Sequence, residues 1–517
     1  MSLLFKTEFV NEPNLIFGGR REERDPKIGL DRFGPFRYKD EIHPLESVRV
    51  GIVSNRIGIN HTYDILELLQ NKIPSYHEQN QWLFPNFSGM NKQTKFQCSI
   101  QTSKIWQATL SDDFELNKIT SERLANSNER IAFGVNLFAE KVREISENDD
   151  PPNVIICTLP KIVETYCGIS ERTRGAKNVK PTQAEINLQR MKDAGQKFLT
   201  EWGVIITNEE DAPEKSFDFR NALKGKVMEF GIPIQILHES TCEQILNYDN
   251  ISKHTKQDPC SFAWNLSTAL FYKANGKPWR LAKLPTDTCY VGVSFFRDKL
   301  HPTKDIQISM AQIFTHTGEG LVLRGTEVDI DEHTKQPYLK KEQAKTLLAN
   351  AIAKYIEKTK QNPARVVIHK TSEFSQEEQT GFNEAMSDVG TVRKDFVTIR
   401  TDHYGINFMR VGKFPILRGT LINLDTERFL LYTSGYTPRI RTYPGHSIPN
   451  PLKIKHKGDS TRIELAAEIL GLTKLNWNTA SFSTYLPITI KFATEVGKIL
   501  SELSPEKITK DHYRFFM

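Results

Sequence analysis

Apolar positions along the chain follow two rhythms. Unbroken runs at Val48–Ser54 and Asn153–Pro160 predict buried strands, the second stopped by its proline. Residues 61–72 and 121–147 show helical spacing, and the rest of 74–145 shows no clear period. Phe219, Leu223, Val227 and Phe230 recur on one helical face, Gly231-Ile-Pro233 ends that helix, and Ile234–Leu237 reads as the next strand. A helix over 260–274 runs into Asn275-Gly276 with Pro278 just beyond. This alternation of strand and helix predicts an open, mostly parallel α/β sheet. A boundary is expected near 276–287.

Beyond it the order changes. Tyr290–Arg297, Ile306–Phe314 and Gly320–Gly325 are spaced as an antiparallel meander. A helix at 340–361, a strand at 365–369, a helix at 375–387, strands near 395–400 and 419–434, and helices at 460–470 and 487–502 follow. A meander followed by helix-linked strands is the order of an RNase H-like fold. The first 45 or so residues, rich in Gly, Pro and charge, read as an irregular lead-in. The polar, basic stretch 168–184 reads as a loop.

Composition narrows the class. The chain has 517 residues, 38% hydrophobic and 10% aromatic, enough to bury cores in several domains and to exclude a disordered protein. Lys+Arg exceed Asp+Glu by 69 to 63, so only clustering of the cations would point to a polyanionic partner. No apolar run approaches the ~20 residues of a membrane-spanning helix. The N-terminus meets Lys6 and Glu8 too early for a secretory leader. Six cysteines without a CxxC pair argue against a zinc finger or disulfide scaffold and fit a reduced, cytoplasmic setting. The histidines form no HxH or HExxH, and no GxGxxG marks a dinucleotide site.

Two groups of residues carry candidate chemistry. Arg220 and Lys224 stand i, i+4 on one helix face, and Gln235 on the next strand brings an amide donor to the same space. Several donors converging on one point is what charge-assisted phosphate recognition requires, although an ordinary solvated face has the same pattern. The stretch 410–457 holds nine Lys/Arg (Arg410, Lys413, Arg418, Arg428, Arg439, Arg441, Lys453, Lys455, Lys457) against Asp425 and Glu427. Phe414, Phe429, Tyr432, Tyr436 and Tyr443 are interleaved. The charges read as a surface that tracks a phosphate backbone, with Arg410, Arg418, Arg439, Arg441, Lys453 and Lys455 as the candidates. The aromatics, like Asn476-Trp477-Asn478, read as core. The cluster Arg172, Arg174, Lys177, Lys180 reads as a solvated charge run.

Lys277-Pro-Trp-Arg-Leu281, Tyr290-Val-Gly-Val-Ser-Phe-Phe296, Leu472–Asn478 and Tyr485–Ala493, in this order and spacing, resemble the PIWI domain of Argonaute proteins. The upstream half, with Leu223-Lys224 and Gly231–Gln235, resembles their MID domain. The resemblance divides the chain into a lead-in (1–45), a Rossmann-like MID domain (46–276) and an RNase H-like PIWI domain (277–517). With no room ahead for N and PAZ domains, it points to the short prokaryotic Argonautes.

The resemblance implies a guide 5′-phosphate pocket of Lys224, Gln235, Lys273 and Arg220. It implies a structural Mg²⁺ at that phosphate, with the terminal carboxylate of Met517 or guide phosphates as oxygen ligands. Active PIWI domains hold metal with Asp, Asp and Glu plus a further Asp or His. Here the corresponding positions read as Ser294, Lys370 and Ile490, which implies a dead nuclease. The implied function is binding of a guide RNA and a complementary single-stranded DNA target without cleavage. Target binding would switch on a partner carrying an APAZ region fused to a TIR or Sir2 NADase or to a nuclease, as a heterodimer that assembles further on activation. An active guide-dependent endonuclease, or a passive silencing protein with no effector, remain the alternatives.

Overall fold

The computed structural model describes residues 6–36, 44–77, 80–120, 124, 126–168, 218–248, 257–297, 307–314, 318–330, 337–401, 408, 410–412, 414–442, 448–503 and 510–517. The basic stretch 172–180 lies outside them, as do Lys413 and Tyr443. Among the described residues no helix is long and apolar enough to cross a membrane.

The first domain is a four-stranded, all-parallel sheet. Its strands are β4 (Ser47–Ser54), β5 (Ser99–Thr109), β6 (Val154–Leu159) and β7 (Ile234–His238), in the order β5-β4-β6-β7. Strand β6 is buried at every position, as a central parallel strand should be. Helices α2 (Arg56–Gln70), α3 (Ser127–Ser146) and α5 (Phe219–Val227) pack around it, with the short α4 (Lys161–Tyr166) and α6 (Glu239–Leu246). Helix α2 starts five residues earlier than its apolar spacing suggests, because the Asn55 side chain accepts from the Gly58 N–H and caps it. Strand β5 gives no apolar run because it is an edge strand whose burial alternates irregularly. Helix α7 (Pro259–Lys273) is buried nearly all round and belongs to the core that joins the two domains.

The second domain is built on a ten-stranded sheet, ordered β1-β15-β16-β17-β14-β13-β9-β10-β11-β12. Its RNase H-like centre is the antiparallel meander β9 (Thr288–Arg297), β10 (Gln307–Phe314), β11 (Gly320–Ile330), with β13 (Arg365–Lys370) parallel to β9 and β14 (Arg393–Arg400) parallel to β13. The short β12 (Pro337–Tyr338) closes one end. Helices α8 (Lys341–Thr359) and α9 (Gln376–Asp388) cover one face. On the other lies α11 (Ile488–Leu500), against which Gly292 of β9 packs so closely that a Cβ there would stand 2.2 Å from the Thr489 carbonyl. The expected strand over 419–434 is a hairpin, β15 (Thr420–Asn423) and β16 (Arg428–Leu431), and a further strand, β17 (Leu452–Gly458), pairs it to β14. Helix α10 (Arg462–Leu472) follows.

The lead-in is not irregular. Strand β1 (Thr7–Phe9) joins β15 at the edge of the large sheet, and β2 (Leu15–Ile16) pairs with both β3 (Glu22–Glu23) and β8 (Arg280–Leu281). Helix α1 (Pro26–Phe33) ends at Gly34, whose φ of +73° turns the chain beside the Lys95 carbonyl of the first domain. Glu12 is the anchor: its carboxylate receives Arg418 Nε at 2.8 Å and Lys474 Nζ at 2.7 Å. These short elements escape pattern reading because two- and three-residue strands carry no period.

Candidate nucleic-acid interface

Helix α5 brings Lys224 against the C-terminal residues, and α7 brings Lys273 against β7. Lys273 Nζ donates to Gln235 Oε1 at 2.6 Å, and Gln235 Nε2 donates to the Ile236 carbonyl. Lys224 Nζ donates to the Phe516 carbonyl at 3.4 Å. Lys224 is 6% exposed and Lys273 2%, and the oxygens they meet are neutral. Arg220, one turn before Lys224, is exposed at the rim. Burial and the Arg220 charge hold Lys224 down at about 7, outweighing Glu495 and Asp218. Burial, then Lys224 and Arg220, push Lys273 well below the usual lysine range. Two buried lysines, held down by burial and by the neighbouring Arg220 charge around neutral acceptors, form a place that suits an anion. Phe219, next to Arg220, is buried edge-on to Phe138 and belongs to the first domain's core.

Met517 is buried beside this cluster, next to the Phe516 carbonyl. As a donor set for Mg²⁺ the residues here are poor: two ammonium groups and a guanidinium crowd the few oxygens. Among the described residues no group of three His, Cys, Asp or Glu is placed to hold a metal. The protein side chains alone therefore do not fit the ion.

The positions compared with the metal ligands separate onto two faces. Ser294 lies on the α11 face of β9, two residues along from Gly292, and its hydroxyl is buried without a partner. Ile490 of α11 is a core residue. Lys370, expected to stand beside Ser294, points to the opposite face and into a buried ion pair with Glu378 of α9 at 2.5 Å. Its ammonium also lies over the rings of Phe295 and Phe374. The residue of β13 that shares the α11 face is His369, whose Nδ1 is 2.7 Å from Thr489 Oγ1 and which burial lowers to about 3. The strand alternation makes neighbours in sequence point apart, so placing Lys370 on the Ser294 face was off by one position.

The basic stretch divides in the same way. Arg418 is not a surface cation: it is 4% exposed, tied to Glu12, and donates to the carbonyls of Thr433 and Leu470 and to Thr473 Oγ1. Arg439 is half-buried and paired with Glu23 of the lead-in at 2.8 Å. Arg441 lies over the Trp82 ring at 4.8 Å, and Arg410 over Tyr436 at 5.8 Å. Lys453 and Lys455 do line an open pocket of about 470 Å³, with Arg400, Arg428, Thr398, Glu373, Asp425, Thr426 and Glu427. Register sets like charges directly opposite one another, Arg428 against Lys455 and Arg400 against Lys453, which costs stability unless anions offset it. Glu373 takes up part of this charge through Lys455 at 2.9 Å. Sequence reasoning missed Arg400; the period-2 run of Lys453, Lys455 and Lys457 was the signal for the strand that pairs with it. Of the interleaved aromatics, Phe429 and Tyr432 are core as expected, whereas Phe414 is 46% exposed. Trp477 is core, packed on Tyr272.

A parallel α/β domain docked onto an RNase H-like sheet is the architecture of the MID and PIWI halves of the Argonaute fold. Solved structures show the match. A Clostridium butyricum Argonaute bound to a guide DNA and a 19-mer target DNA aligns with 97% of this chain at 16% identity and a TM-score of 0.60. Aquifex aeolicus Argonaute aligns with 99% of it at 14% identity and a TM-score of 0.54. The chain spans about half the length of these proteins, 53% and 56%. No protein-family model matches the sequence, and no characterised protein matches it by sequence.

Proposed function

We propose that this protein is a guide-directed nucleic-acid sensor. It anchors a 5′-phosphorylated guide, an RNA, and pairs it with single-stranded target DNA without cutting it. The observation that carries this reading is the pair of buried lysines, Lys224 and Lys273, facing neutral oxygens with Arg220 at the rim. A terminal phosphate offsets all three charges at once and restores the lysines to their ammonium forms. The pocket of Arg400, Arg428, Lys453 and Lys455 supplies a second contact to the backbone.

Cleavage is excluded from the proposal because Ser294, Ile490 and His369 offer no carboxylate on the face where metal ions would be needed. A sensor that does not cut transmits its signal only if pairing changes its affinity for another state or chain. The proposed second chain is an APAZ-bearing TIR or Sir2 effector whose NAD hydrolysis, in the cytoplasm, stops plasmid or phage propagation. Purified complex, guide, target and NAD are mixed and NAD is followed with time. Loss of NAD only with a matched target supports the sensor; equal loss without target refutes it. Binding of 5′-phosphorylated and 5′-hydroxyl RNA, compared by filter retention, tests the anchor, and equal affinities would remove it.

A further inference from the structure

Phe414 and Tyr436 stack with ring centroids 4.2 Å apart and planes 17° from parallel. The Phe414 ring remains 46% exposed, and the Arg410 guanidinium lies 5.8 Å from the Tyr436 centroid. Tyr436 is firmly seated: its N–H donates to the Ile416 carbonyl at 2.9 Å, and its carbonyl accepts the Arg418 N–H at 3.1 Å. Arg418 is itself fixed by Glu12. The chain then turns, closed by the Thr437 N–H donating to the Thr442 carbonyl at 2.8 Å. At the far end of the turn Arg441 takes a left-handed backbone, φ +52°, and lays its guanidinium over Trp82, which is 40% exposed. Two exposed π surfaces, each with an arginine, thus flank one short turn.

We propose that the Phe414–Tyr436 pair is a stacking platform for an unpaired nucleobase of a bound single strand, a reading that rests on the nucleic-acid function proposed above. The pair is held in place before any ligand arrives, so stacking costs little reorganisation. An arginine beside the ring attracts the phosphate attached to the base that lies on it. Charge favours a nucleic acid: each exposed ring surface carries an arginine, Arg410 over Tyr436 and Arg441 over Trp82. Stacking accepts any base, so the platform adds affinity without sequence preference.

The test uses the full-length protein and a series of 5′-phosphorylated single strands in which one abasic site is walked along the sequence. Wild type is expected to lose roughly tenfold in affinity when the abasic site reaches one particular position. Phe414→Ala, a surface change whose melting temperature should match wild type, is expected to lose the same factor on the intact strand and to become indifferent to the abasic position. Phe414→Trp should restore both. If wild type is indifferent to the abasic position yet still prefers a 5′ phosphate, the platform is wrong and the guide reading stands. If the positional loss persists without any 5′-phosphate preference, the platform stands and the anchor falls. Failure to bind any strand overturns both.

Discussion

Lys273 Nζ sits 2.6 Å from Gln235 Oε1, joining the last turn of α7 to the start of β7 across 38 residues of sequence. The contact gives the buried amine a neutral acceptor and no counter-charge, so burial and the neighbouring Lys224 and Arg220 charges leave its proton to be restored by an arriving anion. Replacing Lys224 and Lys273 together by Ala should weaken 5′-phosphorylated guides by at least about tenfold, since charge-assisted bonds are worth roughly 1.5–3 kcal/mol each. A 5′-hydroxyl guide should change far less. Titrations of both guides against wild type and double variant decide it.

The same burial makes anchoring depend on pH. With Lys224 at about 7 in the free protein, part of its population is neutral above that pH, and binding an anion must first restore the proton. Affinity for a phosphorylated strand should therefore fall as pH rises from 7 to 9, with proton uptake visible as a buffer-dependent heat in calorimetry. Stability of the free protein runs the opposite way. The lysine's folded value lies below its unfolded one, so the unfolded state binds more protons between about 7 and the normal lysine range, and stability rises with pH there. Lys224→Met should raise the melting temperature of the free protein at pH 7 while weakening the phosphorylated strand.

Most strands and helices were legible along the chain because long elements with one buried face carry a period, whereas β5 and β17 were not. The α/β half and the meander could be placed for the same reason; Lys224 and Gln235 lie on periodic elements, whereas Lys273 entered only through the resemblance to the MID domain. Arg418 and Arg439 could not be told from surface cations, because their partners Glu12 and Glu23 lie some four hundred residues away. Lys370 went to the wrong face because a one-residue shift reverses a strand side chain. Phe414 looked like core because composition does not report the loop that exposes it.

Lys370 and Glu378 are both fully buried. Lys370→Ala should cost roughly 3–5 kcal/mol, since it strands the carboxylate, whereas Lys370→Met with Glu378→Leu should come close to neutral. Neither change should alter guide affinity at temperatures where the protein is folded. Chemical denaturation and binding, measured on the same preparations, check both statements. Ser294→Asp should not create metal-dependent cleavage of a matched target, because one carboxylate beside His369 and Ile490 does not hold a pair of ions. Cuts at a fixed guide position by wild type would overturn the inactive reading.

Glu12 is pulled to about 2 by Arg418 and Lys474 against the opposing effect of its burial. Its folded value lies below its unfolded one, so this stabilisation is complete above the normal glutamate range and disappears as pH falls toward 2. Glu12→Gln should lower stability by roughly 3–5 kcal/mol at neutral pH by leaving two buried cations uncompensated. The wild-type and variant melting curves should converge on acidification.

Lys453→Gln and Lys455→Gln should weaken all strands alike and flatten the dependence of binding on salt, by roughly 0.7–0.9 in logarithmic slope for each phosphate that is no longer neutralised. A change confined to one sequence, or an unchanged slope, would move these lysines off the phosphate backbone.

Strand β1 and Glu12 wait long for partners during synthesis, since Arg418 lies 406 residues downstream. At translation rates of roughly 5–20 residues per second, the N-terminal segment waits on the order of 20–80 s before β15 and Arg418 exist. Throughout that interval an unpaired strand and an acidic residue with no counter-charge trail the ribosome. The large sheet, for its part, is synthesised with one edge open until this much older segment returns to close it. A nascent chain halted before Arg418 lacks the Glu12–Arg418 clasp that ties the β1 segment to the rest of the fold.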